Sequence, residues 1–266
     1  MGETSEEGKK VEEPKKMNEE QTEINLEADL HTHTVASGHA FGTVREMALA
    51  APKGLHMIAV TDHGPAFPGG PGLPYFHHLR GLPERIGGVE VLKGVEANIV
   101  DADGHLDLPP AFLATLDLVV AGFHEGTGFQ SGSVEDNTRA MILAIRNPFV
   151  HVIAHPCNPL YPVEMEKIVL AARAAGCALE INNASLTFSR PGSGPRCEYL
   201  ARLAARAGAL VSIASDAHSP FSVGECGKAL IVSQRAGIRP ENVINGRTAT
   251  VREFLRRTRQ RIRQIS

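Results

Sequence analysis

The sequence predicts an α/β protein whose parallel strands form a closed or nearly closed barrel. Short segments rich in Val, Ile and Leu recur seven times along the 266 residues, and helical patterns lie between most of them. Strand alternating with helix is typical of βα units and of a parallel sheet, and this number of units favours a barrel. An open doubly wound sheet is the alternative. It is weakened because no phosphate-binding glycine fingerprint follows the first strand.

The seven predicted strands are short, and most of them end in polar residues. In order they are EADLHTH (27–33), MIAVTDH (57–63), VEVLKGVEAN (89–98), LDLVVAGFH (116–124), FVHVIAHP (149–156), CALEINN (177–183) and ALVSIASDAH (209–218). Each has the length of a strand rather than of a buried helix.

Helices are predicted where apolar residues recur with helical spacing, and several of these segments end in glycine, as helix C-termini often do. They are TVREMALAAPKG (43–54), VEDNTRAMILAIRN (134–147), VEMEKIVLAARAAG (163–176) and PRCEYLARLAARAG (195–208). A last pattern, TATVREFLRRTRQRIRQ (248–264), carries six arginines and one glutamate. We interpret it as a solvated final helix, with a nucleic-acid contact as the less favoured alternative.

Composition limits the classes of function. The chain is 42% hydrophobic and 21% charged, which is ordinary for a globular domain, and we expect that domain to span residues 25–266. Residues 1–24 are rich in Glu and Lys and nearly lack large apolar groups, so we expect a disordered extension. The net charge of −3 provides no basic field for nucleic acid or membranes, and no apolar run has the length of a membrane span.

The four cysteines predict no disulfide framework. Cys157, Cys177, Cys197 and Cys226 are widely spaced and form no CxxC pair, so we interpret them as reduced, buried thiols. The N-terminus is charged and does not resemble a signal peptide. Together these features predict a cytoplasmic location.

Metal-capable side chains follow six of the seven predicted strands. The C-terminal ends of parallel strands meet on one side of an α/β barrel, where active sites form. Each motif alone is weak evidence, but the joint pattern predicts a metal site, because chance would rarely favour the same end of six strands. The residues are His31 and His33, Asp62 and His63, Glu96, His124, His155, and Asp216 with His218.

Other polar residues receive different interpretations. For Asp62 we favour a turn cap, or a contact to a ligand side chain, over direct metal binding. His151 lies deeper in the barrel and is interpreted as a core residue. Asn182 and Asn183 end the one strand without a ligand, and they either line the pocket or satisfy buried backbone groups. Surface or packing roles are expected for the remaining histidines, His56, His77, His78 and His105.

Seven short motifs carry a resemblance to a known family. They are DLHTHTVAS followed by His39, AVTDHGP, GVEANI, AGFHE, IAHPCNP, LEINNAS and SDAH. They resemble the PHP (polymerase and histidinol phosphatase) domain and, more narrowly, the bacterial YcdX-type probable phosphatases. The similarity runs from about residue 27 to residue 255. It implies a single-domain, distorted TIM-like barrel of seven parallel βα units that holds three divalent metal ions.

The resemblance also implies a ligand set. Zinc is the expected metal, and manganese and iron are the alternatives, since neutral imidazole ligands suit these ions rather than calcium. The first ion would be held by His31, His33, Glu96 and Asp216, the second by Glu96, His124 and His155, and the third by His39, His63 and His218.

Such a site predicts phosphate chemistry. Three divalent ions bring more positive charge than Glu96 and Asp216 return, which suits the dianion of a phosphate monoester. A hydroxide shared by two ions would attack phosphorus in line with the leaving oxygen. Asp216 would orient this nucleophile or take its proton. Arg190, in TFSRPGSG, is either a phosphate clamp or a plain surface arginine.

The leading hypothesis is therefore a metal-dependent phosphoric monoester hydrolase that acts on a small phosphorylated substrate, without nucleic-acid or membrane partners. A histidinol-phosphatase-like enzyme is one alternative. A metal-dependent amidohydrolase is another, and the lack of a lysine at any ligating strand end argues against it. A non-enzymatic PHP domain is the third, and the complete ligand set argues against it. The oligomeric state, which includes a homo-oligomer, stays open.

Overall fold

The apolar segments of the sequence form one nearly closed, barrel-like sheet, in which seven strands run parallel in the order β1-β2-β4-β5-β6-β7-β8. The computed structural model describes residues 23–265. The predicted extension at 1–24 therefore lies almost entirely outside the described residues. The strands are β1 (Ala28–Thr32), β2 (Met57–Val60), β3 (Arg85–Ile86), β4 (Val89–Asn98), β5 (Leu118–Gly122), β6 (Val152–Ile153), β7 (Ala178–Asn182) and β8 (Val211–Ala214).

The helices connect these strands, and the longer ones match the predicted patterns. They are α1 (Val44–Leu49), α2 (Leu73–His78), α3 (Pro110–Leu113), α4 (Val134–Arg146), α5 (Met165–Ala175), α6 (Ser193–Ala207), α7 (Gly227–Arg235) and α8 (Thr248–Ile265). The connection from β2 to β4 is less regular than a single crossover helix, because it contains α2 and the short strand β3, which pairs antiparallel with β4. The predicted distorted barrel of seven parallel units is confirmed.

The inside of the barrel changes from apolar to polar along the strands. Side chains alternate between the two faces of each strand. Near the N-terminal ends the inward residues are apolar, as at Met57, Leu92 and Leu118, and they form one buried cluster with Phe254 of α8. Along β4, every second residue points into the barrel, and these residues are Leu92, then Gly94, then Glu96. The final helix therefore closes one end of the barrel, and the other end is left for polar side chains.

The arginines of α8 whose side chains the structure describes are paired with acidic groups of the protein. Arg252 contacts Glu90 of β4, and Arg259 Nη2 lies 2.7 Å from an oxygen of Asp117. These contacts lie on the outer face of the helix, and its apolar face packs into the barrel. The solvated final helix predicted from the sequence agrees with this arrangement.

A one-residue irregularity in β1 turns its histidines toward the polar end of the barrel. The pairing of β1 with β2 shifts between Asp29 and Thr32. Leu30 belongs to the inner apolar cluster, and strict alternation would turn the next side chain outward. The shift instead places His31 on the same side as Leu30, which is how bulges re-aim side chains near functional sites.

The gap between β1 and β8 is closed by a side chain and by the loop after β8. The amide of Asn245 donates hydrogen bonds to the carbonyls of Ala28 (2.8 Å) and Ile213 (2.7 Å), and its oxygen accepts from Ile213 N–H (3.1 Å). Nearer the polar end of the barrel, His33 N–H donates to the carbonyl of Ala217 at 2.8 Å. The buried Asn245 thus replaces part of a strand ladder.

Replacing Asn245 by alanine is expected to lower the free energy of unfolding by about 3 kcal/mol or more, because each buried polar group left without a partner costs about 1–3 kcal/mol. Chemical denaturation measures the change. Asn25→Ala, at an exposed asparagine, is the matched control. A loss below about 0.5 kcal/mol, the range of an ordinary surface substitution, would mean that Asn245 does not hold the two strands together.

All four cysteines are free and buried, as predicted. Within the described residues, none of the helices combines the length and the apolar character that a membrane span requires.

Candidate metal centre

The metal-capable residues predicted from the sequence converge at the polar end of the barrel. Seven histidines and two carboxylates form one connected cluster of contacts, although they come from loops and strands spread over nearly 190 positions. Most are fully buried, and His39 and His218 lie toward the solvent. The cluster consists of His31, His33, His39, His63, Glu96, His124, His155, Asp216 and His218.

Three pairs of histidine nitrogens face each other at the spacing of two ligands on one ion. The Nε2–Nε2 distance is 3.1 Å for His31 and His33, 3.2 Å for His124 and His155, and 2.9 Å for His39 and His218. Two metal–nitrogen bonds of about 2.0–2.1 Å at a tetrahedral angle place their nitrogens roughly 3.3 Å apart. Each pair falls within one of the three ligand sets implied by the resemblance.

Hydrogen bonds fix which ring nitrogen points into the cluster. A ring whose Nδ1–H donates to an oxygen presents the lone pair of Nε2, so two such rings facing each other at 3 Å need a cation between them. The five Nδ1 contacts are His31 to Glu180 (2.7 Å), His33 to the Ser37 hydroxyl (3.0 Å), His39 to the Ser37 carbonyl (2.9 Å), His124 to Asn98 Oδ1 (2.8 Å) and His218 to the Asp216 carbonyl (2.9 Å).

Glu96 lies at the middle of the cluster, and its two oxygens face different groups of histidines. Oε1 lies 2.7 Å from His155 Nε2 and 3.2 Å from His124 Nε2. Oε2 lies 3.0 Å from His63 Nδ1 and 3.3 Å from His31 Nε2. A carboxylate shared in this way is suited to bridge two ions.

Three buried atoms in the cluster make no hydrogen bond of good geometry. They are His63 Nδ1, Glu96 Oε2 and Asp216 Oδ1, and the first two lie 3.0 Å apart without the alignment that a hydrogen bond requires. A buried polar atom without a partner costs free energy, and such atoms often mark an ion site. Within the described residues, the groups whose ligand atoms lie close enough to share an ion are His31, His33 and Asp216; His63, Glu96 and His124; and His33, His63 and His218. The donor set therefore fits divalent metal ions.

The protonation states also suit metal binding. Burial opposes the charged form of Glu96, but the histidines His124, His31 and His63 outweigh it and hold the carboxyl pKa well below its usual value. Burial lowers the pKa of His63 to about 2, and it lowers the pKa of His155 and His218 to about 4. Near neutral pH, the carboxylate is therefore ionised and these three imidazoles are neutral, as metal ligands must be.

His31 and His33 behave differently. Burial alone would lower their pKa values, but the carboxylates around them raise both, with Glu180 and Glu96 acting on His31 and Asp216 and Glu96 on His33. Without a cation, protons on these two rings would therefore balance the buried negative charge. Protons and metal ions compete for the same nitrogens.

Backbone strain is concentrated at the same place. Among the described residues, the non-glycine residues with positive φ are His155 (+30°), Arg190 (+49°) and Asp216 (+57°). Positive φ is uncommon for residues with a Cβ and persists where the surroundings hold it. For Arg190, the N–H and hydroxyl of Ser193 both donate to its carbonyl, at 3.2 and 2.8 Å.

Arg190 lies beside the cluster. Its Nη1 is 2.9 Å from Asp216 Oδ2, and the side chain lines a cavity of about 360 Å³ above the cluster. At this position a guanidinium can reach an anion held over the histidines.

The chain is similar in sequence to known proteins. The family model described as the PHP domain matches residues 29–262. The chain belongs to the PHP domain family. A protein of Thermoanaerobacter sp. strain X514, named a probable phosphatase, is 45% identical over 90% of this chain and 98% of its own length. One of Caldanaerobacter subterraneus subsp. tengcongensis with the same kind of name is 46% identical, over 90% of this chain and 94% of its own.

Among solved structures, the histidinol phosphate phosphatase of Lactococcus lactis subsp. lactis, complexed with zinc, L-histidinol and phosphate, shares the fold. Its TM-score is 0.55 at 19% identity, over 80% of this chain and 94% of that one. The family match confirms the predicted PHP membership, and the names of the relatives confirm the predicted enzyme class, a phosphatase.

One functional residue of this PHP domain was missed from the sequence. Glu180 on β7 is fully buried, and its carboxylate accepts from His31 Nδ1–H at 2.7 Å and from His155 N–H at 2.7 Å. On this strand the sequence predicts no metal ligand, and it offers only Asn182 and Asn183 as residues that line the pocket or satisfy buried backbone groups. The available signal was an acidic residue inside an apolar strand, since a buried charge without a partner is costly.

Two other polar groups orient histidines of the cluster. Asp62 accepts from the Ser37 hydroxyl at 2.6 Å, and Ser37 in turn contacts His33, so Asp62 acts on His33 through Ser37. Asn98 holds His124 and had not been predicted. Of the two asparagines after β7, Asn182 donates to Asp216 at 3.1 Å, and Asn183 accepts from the first N–H groups of α7.

The remaining histidines lie where expected. His151 is buried, and its Nδ1 accepts a hydrogen bond from Val119 N–H at 3.0 Å. The exposed ones are His56, His77, His78 and His105.

Proposed function

We propose that the protein is a metal-dependent phosphomonoesterase that hydrolyses a small phosphorylated molecule at a site for three divalent ions, with zinc as the expected metal. The observation that carries this proposal is the set of three facing Nε2 pairs arranged around Glu96. The names of its relatives support the reaction class.

The three facing pairs support a division into the three ligand sets of the resemblance, with one pair in each set. His31 and His33 would hold one ion with Asp216, whose Oδ1 lies 3.6 and 3.3 Å from their Nε2 atoms. His124 and His155 would hold a second, and His39 and His218 a third with His63. Glu96 would bridge the first two. His63 Nδ1 also contacts Glu96, so the first and third positions are close neighbours.

Divalent ions in such a site lower the pKa of bound water and offset negative charge on a phosphoryl group. The protein supplies the positioning. Asp216 would orient the attacking water or take its proton, in addition to holding the ion. Arg190 can bind the phosphoryl oxygens with its guanidinium, whose geometry matches phosphate. Glu96 and Asp216 are the residues to which we assign catalytic roles.

The size of the cavity supports a small substrate. About 360 Å³ is near the lower end for small-molecule sites. A molecule with one phosphate and a compact organic group fits such a volume.

A direct test is to load the purified protein with zinc, manganese or iron and to measure phosphate release from a panel of phosphate monoesters that includes histidinol phosphate. Matched amides and carboxylic esters test the amidohydrolase alternative. Release of phosphate that depends on metal supports the proposal. Hydrolysis of the amides alone would refute it and favour the alternative.

Arg190→Ala is expected to weaken the binding of inorganic phosphate about tenfold or more, since hydrogen bonds to charged groups contribute about 1.5–3 kcal/mol. The measurement is product inhibition by phosphate, with metal content checked because Arg190 also contacts Asp216. Arg202→Ala, at an exposed arginine of α6, serves as the control. Unchanged inhibition by phosphate at full metal content would show that Arg190 is not a clamp.

A further inference from the structure

The cavity above the cluster has two chemically different parts. Its floor consists of Asp216 and four histidines of the cluster. Its wall includes three phenylalanines, Phe41, Phe67 and Phe188, with Arg190 as the cation at the edge. A phosphate would be bound at the floor, and the organic part of the ester would face the aromatic wall.

Two of these rings are not needed by the hydrophobic core. Phe41 is 81% exposed and Phe188 is 75% exposed. The backbone of each is held in place, because Phe41 N–H donates to the His218 carbonyl (2.8 Å) and Phe188 N–H donates to the Ala184 carbonyl (3.1 Å). Single exposed apolar residues are ordinary, but two exposed rings that line one small cavity form a contact surface for a ligand.

Phe67 has a different role. Its ring is stacked on His63, with centroids 3.8 Å apart and an interplanar angle of 11°, and it also lies 5.2 Å from the ring of His39. It therefore packs against predicted metal ligands, and the two exposed rings remain available to a substrate.

We propose that Phe41 and Phe188 bind the organic group of the substrate and select phosphate monoesters of flat, aromatic alcohols over those of polyols. This inference depends on the proposed phosphomonoesterase function. An aromatic group gains contact with both rings. A polyol gains less from the two rings, because its hydroxyl groups make better hydrogen bonds with water than with an aromatic surface.

The first test compares kcat/KM of the metal-loaded protein for benzyl phosphate and glycerol phosphate, which both release an aliphatic alcohol and so do not differ strongly in leaving-group reactivity. We expect a preference of about tenfold or more for benzyl phosphate, and we expect the double variant Phe41→Ala/Phe188→Ala to lose most of it. Phe221→Ala is the matched control, since Phe221 is 94% exposed, follows His218 by three residues and does not line the cavity. A preference that survives in the double variant overturns the inference.

The second test measures binding without turnover. Calorimetry on the metal-loaded protein compares phenylphosphonate with methylphosphonate, which share the anionic group and differ in the organic part. Tighter binding of phenylphosphonate, lost in the double variant, supports the inference even if no ester is hydrolysed, a result that would count against the proposed function alone. Equal affinities for the two phosphonates overturn the inference and leave the proposed hydrolysis intact.

Discussion

Glu96→Gln is expected to reduce metal-dependent phosphate release by about a thousandfold or more. Both oxygens of Glu96 face histidine nitrogens, at 2.7–3.4 Å, so the carboxylate joins the two halves of the cluster. A neutral amide keeps the shape but removes the negative charge, and its nitrogen has no lone pair with which to bind a cation. The variant should therefore bind fewer ions as well as lose activity.

The measurement pairs turnover with metal content by elemental analysis. Glu90→Gln is a matched control, because it makes the same change on the same strand where the side chain pairs with Arg85 and Arg252. If hydrolysis continues near the wild-type rate in Glu96→Gln, with the variant folded, the bridged arrangement is not the basis of activity.

Glu180→Gln is expected to weaken metal binding by about 10- to 100-fold, the usual effect of removing a group that orients a ligand. The Glu180 carboxylate accepts from His31, from His155 N–H and from Asn182 Nδ2. Glutamine has a single oxygen, so at least one of these donors would face an N–H₂ group. His31 would then be held less firmly, and the negative charge that favours a cation would be lost.

Competition with a metal chelator measures the affinity, and Glu198→Gln on the exposed face of α6 is the control. If Glu180 only positions ligand side chains, excess metal should restore much of the activity of Glu180→Gln, because the ligands themselves remain. Activity that is lost and does not return at saturating metal would instead indicate a direct catalytic role for Glu180.

The sequence predicted the barrel and the cluster because both follow from local patterns. Apolar strands that alternate with amphipathic helices require a parallel sheet, and the polar residues that end those strands must then meet on one side. This is why His31, Glu96, His124 and Asp216 could be assigned to one site from the sequence. Each predicted strand contains an observed strand and extends beyond it by a few residues at most.

The residues that hold the predicted ligand side chains in place were harder to predict. The contacts of Glu180 and Asn98 with histidines join strands that are distant in sequence, and no spacing rule connects them. The irregularity in β1 breaks the two-residue alternation that a sequence pattern assumes, yet it places His31. Asn245 closes the barrel from a loop, through hydrogen bonds that have no sequence signature. The aromatic wall of the cavity likewise depends on how loops meet.

Elemental analysis of the native protein, purified without chelators, tests the central claim most directly. Seven histidines and two carboxylates that face one another at close range should retain close to three divalent ions per chain, as the ligand sets imply. Removal of those ions should abolish phosphate release, and their return should restore it. A protein that retains less than one ion per chain, takes up none on addition of zinc, manganese or iron, and behaves identically with and without chelator would contradict the account.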